Sequence, residues 1–83
     1  MSDGRAEVID ALAARAGTPP LTAAETESVL ALAAVAAHGT GDRTTAPLAS
    51  FLAGIAAADA DDRVALLDEL RRHVAELTAG TVE

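Results

Sequence analysis

Cysteine is absent from this chain, and so are lysine, tryptophan and tyrosine. Without cysteine there are no disulfide staples, no thiolate zinc sites and no cysteine nucleophile, a pattern that fits a reducing compartment, so a cytoplasmic protein is expected. Phe51 is the only aromatic residue, which leaves nucleic-acid bases no stacking platform. Six arginines stand against thirteen acids, for a formal charge of −7, and a polyanion is repelled by that balance. Neither a nucleic-acid nor a membrane partner is therefore expected. The opening residues, Met-Ser-Asp-Gly-Arg, contain no apolar leader core, so no signal peptide is expected. The longest uncharged run, residues 44–58, contains Pro47 and is too short to span a bilayer. Alanine-rich, lysine-free composition points to a GC-rich bacterial genome.

What the chain does have is alanine. Of 42 residues counted as hydrophobic, 22 are alanine, which leaves nineteen Val, Ile, Leu and Phe side chains to drive collapse. Eighty-three residues make one domain, 1–83, near the lower size at which a single core is self-sufficient. So thin a core needs regular helix packing or help from outside the chain. A protein partner or a homo-oligomer is expected on that ground.

Four helical segments follow from the pattern, at about 3–16, 23–38, 46–58 and 61–78. In the first, Ile9, Leu12, Ala13 and Ala16 form one apolar stripe, Ser2 or Asp3 is the cap, and Gly17 with Pro19-Pro20 ends it. The second opens on the capping box Thr22-Ala-Ala-Glu25 and is apolar at every position from 29 to 37, the mark of a central helix. It is expected to end at His38, with Gly39 in the left-handed C′ position. The third carries Pro47 in its first turn and a stripe of Leu48, Phe51, Leu52, Ile55 and Ala56 expected to face the core. Gly54 inside it costs about 1 kcal/mol against alanine, so close packing is expected there. The fourth has Val64, Leu67, Leu70, Val74 and Leu77 on its buried side, with Asp68–Arg72 and Arg72–Glu76 as i,i+4 pairs opposite and Gly80 as its stop. The expected fold is all-α, a compact bundle of four helices with short loops.

Few residues invite a chemical reading. Asp59, Asp61 and Asp62 look like part of a calcium loop, but an EF-hand starting at Asp59 needs glycine and glutamate where Val64 and Leu70 stand. Acids capping a helix N-terminus are the simpler reading. His38 and His73 lack any metal-ligand spacing, so no metal is expected. The segment after His38 leads through Arg43, Thr44 and Thr45 into a helix start, a combination that can hold a phosphate or carboxylate. Against it stands a structural reading in which Thr45 caps the helix, Arg43 pairs with an acid such as Asp42, and His38 meets a carbonyl. A carrier-protein reading requires a serine at a helix start after a long loop. The nearest candidate, Ser28, lies two turns inside its helix.

One stretch carries a resemblance: Val35-Ala-Ala-His38-Gly, then Arg43, then Ala46-Pro47-Leu48-Ala-Ser-Phe51-Leu52-Ala-Gly54. It resembles an uncharacterised family of small helical bacterial domains, found alone or fused to guanylyltransferase-like domains of molybdenum-cofactor biosynthesis. That resemblance implies Ala46, Pro47, Leu48, Phe51, Leu52 and Gly54 as the family's structural motif and a molybdenum-cofactor pathway enzyme as a partner, but no activity and no bound cofactor. The functional expectation is a non-catalytic interaction or accessory module. The alternative is an anion- or nucleotide-cofactor-binding domain using His38, Arg43, Thr44 and Thr45, and the carrier domain comes third.

Overall fold

The computed structural model describes residues 4–79. Four helices succeed one another: α1 (Gly4–Ala16), α2 (Ala23–Thr40), α3 (Thr45–Ala57) and α4 (Arg63–Ala79). No strand occurs among the described residues, and the architecture is the all-α bundle of four helices that the pattern indicates. None of the described helices is long and apolar enough to cross a membrane. The caps expected at Ser2 or Asp3 and the stop at Gly80 lie outside the described residues.

α2 is the central element, as its unbroken apolar run requires, and packs against both α3 and α4. Its start is fixed by the capping box: Glu25 N–H donates to Thr22 Oγ1 at 3.0 Å, and Thr22 N–H donates to Glu25 Oε1 at 2.9 Å. Its end differs from expectation. The helix runs two residues beyond His38, to Thr40, and the left-handed residue is Gly41 (φ 74°) rather than Gly39. Gly39 is glycine for another reason: a Cβ there would collide with the Thr78 side chain, so the backbones of α2 and α4 cross closely at this point. α1 stops where expected, at Gly17, in the left-handed region at φ 78°. α4 starts under Asp62, whose carboxylate accepts from Ala65 N–H at 3.0 Å.

Six side chains are buried among the described residues, and only Leu32 and Leu67 are larger than serine. Leu32 from α2, Ala53 and Ala57 from α3 and Leu67 from α4 meet at the centre, with Val29, Leu66, Leu70 and Val74 packed around them. The thinnest dimension of the molecule is 19 Å, about two helix diameters. A two-layer arrangement covers one side of each helix and leaves the other to solvent. α1 makes no close backbone approach to the other three helices. Ala6 and Ile9 lie beside Thr26, Val29 and Leu30 of α2 across a shallow gap, while Leu12 of the expected stripe is exposed.

The polar side of α4 also departs from the sequence pattern. Neither i,i+4 pair forms; Asp68 instead accepts from the buried Ser28 hydroxyl of α2 at 3.2 Å. His73 Nδ1 stands 3.6 Å from Glu76, and Arg63 stands 3.6 Å from Glu25 of α2.

Candidate functional site

Two places compete for attention: the residue 38–45 connection, singled out by its chemistry, and the outer face of α3.

In the connection, the hydroxyls and amides are engaged with one another. Thr44 donates from both N–H and Oγ1 to Asp42 Oδ1, at 2.9 and 2.7 Å. Those bonds, the side-chain one foremost, hold the exposed Asp42 carboxyl below its usual carboxylate range. Thr45 does not cap α3; it is the first helical residue, and its hydroxyl meets Thr40 Oγ1 at 2.9 Å. Thr40 also reaches back to the Ala36 carbonyl at 2.8 Å, tying the end of α2 to the start of α3. His38 is exposed in the last turn of α2, and exposed Arg43 makes no ion pair with Asp42 or with any other described acid. The four residues thus share one connection, but only Thr44 and Thr45 are tied into its bonding. An incoming anion has to compete with Asp42 for the Thr44 donors. Among the described residues no three His, Asp or Glu side chains converge as a metal site.

The outer face of α3 is built differently. Asp42 and Arg43 offer carbonyls to Thr45 and Ala46, a tight first turn into which Pro47 fits because it has no N–H to leave unpaired. From there, two stripes run along the helix. Ala49 is half-buried, and Ala53 and Ala57 are buried against Leu32 and Leu67. Leu48, Phe51, Leu52 and Ile55, the stripe expected inside, point outward and are 67, 70, 68 and 59% exposed. Ala56 is exposed with them. This corrects the sequence expectation, and the reason is volume. Two leucines from α2 and α4 already fill the centre, so α3 must offer side chains small enough to receive them. The alanines at 49, 53 and 57 recur every four residues, a second helical stripe that was present in the sequence but outweighed by the larger one.

Gly54 was expected to allow a close contact within the chain. Nothing lies within 4 Å of where its Cβ would be. It borders a cleft of about 450 Å³ whose walls include Pro19 and Leu21 from the α1–α2 connection, Val29, Ser50 and Leu67. Glu25 and Arg63 stand at the same cleft. Ser28, the carrier-type serine, is 7% exposed in the middle of α2.

Fold and surface together define a small all-α domain whose third helix buries alanines and turns four large apolar side chains outward. The chain belongs to the family described as a domain of unknown function, DUF6457, whose model matches residues 3–83. No curated protein and no solved structure matches it.

Proposed function

We propose that this domain is a non-catalytic helical interaction module and that the outer face of α3 is its docking surface. A single observation carries the reading: Leu48, Phe51, Leu52 and Ile55 stand 59–70% exposed on one side of a helix with no charged residue. Burying each such side chain is worth about 1.5–3 kcal/mol, so the isolated chain forgoes several times that amount on one face. A contiguous apolar patch of a few hundred Å² is the largest that a monomer ordinarily exposes, and such patches are often functional. The resemblance carried by residues 35–54 supplies the setting, molybdenum-cofactor maturation. The reading also places the domain in the cytoplasm of a bacterium.

Photocrosslinking in the host cell tests this. A benzophenone amino acid at position 48, on the outer face of α3, is expected to give a discrete protein adduct, identified by mass. The same group at position 69, exposed on α4, is expected to give none. The absence of any adduct from position 48, or equal adducts from both positions, contradicts the docking assignment.

A further inference from the structure

The occupant of the α3 face follows from two further features of the surface around it. This step rests on that face being a docking surface, and it names what docks. We infer that the partner is a second copy of this chain, bound through an antiparallel pairing of α3 with α3 about a two-fold axis.

The first feature is the charge layout at the two ends of the helix. Residues 44–58 contain no charge, so two copies of this face meet without like-charge repulsion despite a formal charge of −7 on each. The charges lie just beyond. Arg43 precedes the helix, and Asp59 and Asp61 follow it; all three are exposed, and none forms an ion pair among the described residues. The midpoint of the stripe from Leu48 to Ile55 falls between Phe51 and Leu52. A two-fold axis there sets position 43 of one copy opposite position 60 of the other. Arg43 then comes between Asp59 and Asp61 of the second copy, and the symmetry repeats the contact at the far end. The neighbouring acids are already committed, Asp42 to Thr44 and Asp62 to the start of α4. Antiparallel helices also set opposite dipole ends together.

The second feature is area. Four side chains of the order of 150–200 Å² each, exposed by 59–70%, offer roughly 400–500 Å² per copy. Two copies with their flanking residues reach about 1,000 Å², the lower bound for a specific interface. An interface of that size stands at the weak end of specific pairings.

Sedimentation velocity of the full chain from micromolar to millimolar concentration tests the inference. The expected result is a reversible monomer–dimer equilibrium. Phe51→Glu is expected to abolish it with the helical circular dichroism unchanged, and Leu48→Glu serves as the second variant should Phe51→Glu alter the fold. Arg43→Glu is expected to weaken the dimer by roughly three- to tenfold, two symmetric contacts being lost. Adding Asp59→Arg and Asp61→Arg to that variant is expected to restore the association. A chain that stays monomeric throughout overturns the inference, and an α3 crosslink to a different protein then leaves the docking surface standing. A dimer indifferent to both the Phe51 and the Leu48 substitution overturns it as well. Charge reversals that weaken additively instead of compensating overturn the antiparallel arrangement.

Discussion

Gly39 and Gly54 are chemically identical helical residues with opposite environments, and the contrast shows how local the determinants of this fold are. At Gly39 the missing side chain is what lets α4 approach, since Thr78 already occupies the space a Cβ needs. Alanine ordinarily favours a helix by about 1 kcal/mol over glycine. At Gly39 that gain is outweighed by an overpacking cost of about 1–3 kcal/mol, because the neighbour is a short branched side chain on a helix backbone. At Gly54 nothing has to move. Urea denaturation of dilute, monomeric protein is therefore expected to show Gly39→Ala destabilised by about 1–2 kcal/mol and Gly54→Ala stabilised by about 0.5–1 kcal/mol. Equal effects of the two substitutions contradict the α2–α4 crossing described here. Sequence pattern misassigned both glycines: Gly39 looked like a helix stop and is a packing contact, while Gly54 looked like a packing contact and faces open space. A glycine announces freedom or closeness, but only the position of the facing helix says which.

Among the elements, α1 is set apart. It has no fully buried residue and no close backbone approach to the rest, whereas α2, α3 and α4 share the central cluster. Local stability follows buried contact, so the α1 amides are expected to exchange with solvent far faster than those of α2 around Leu32. Hydrogen exchange followed by mass spectrometry measures this directly. Protection of α1 equal to that of α2 is the contrary result. The helices themselves were legible in the sequence because their signals are local: Thr22 with Glu25, Gly17 before Pro19-Pro20, Pro47 in a first turn. Boundaries moved by two residues or fewer. Which side of α3 faces inward was not legible, because both its stripes have helical spacing and the choice depends on what α2 and α4 already place in the centre. The candidate site shared that fate. His38, Arg43, Thr44 and Thr45 were findable as residue types at a helix start, but the attachment of Thr44 to Asp42 and of Thr45 to Thr40 depends on loop geometry that no spacing encodes.

At the scale of the whole molecule, one consequence governs the rest. Of 22 alanines and nineteen larger apolar residues, the described part of the chain buries only Ala36, Ala53, Ala57, Leu32 and Leu67, and much of the large apolar surface is left outside. Such a two-layer domain is incomplete in its burial, and the α3 face is where the deficit is concentrated. The docking surface, the two-fold pairing and the module reading all depend on α3 facing the way it does. Two substitutions, two residues apart on that helix, test this most directly in thermal melts followed by circular dichroism on dilute protein. Phe51→Glu places a charge where the side chain is 70% exposed and is expected to change stability by no more than about 0.5 kcal/mol. Ala53→Glu forces a charge into a site 3% exposed against Leu32 and Leu67, and is expected to abolish the cooperative melt. The reverse outcome, with Phe51→Glu unfolded and Ala53→Glu tolerated, contradicts the account.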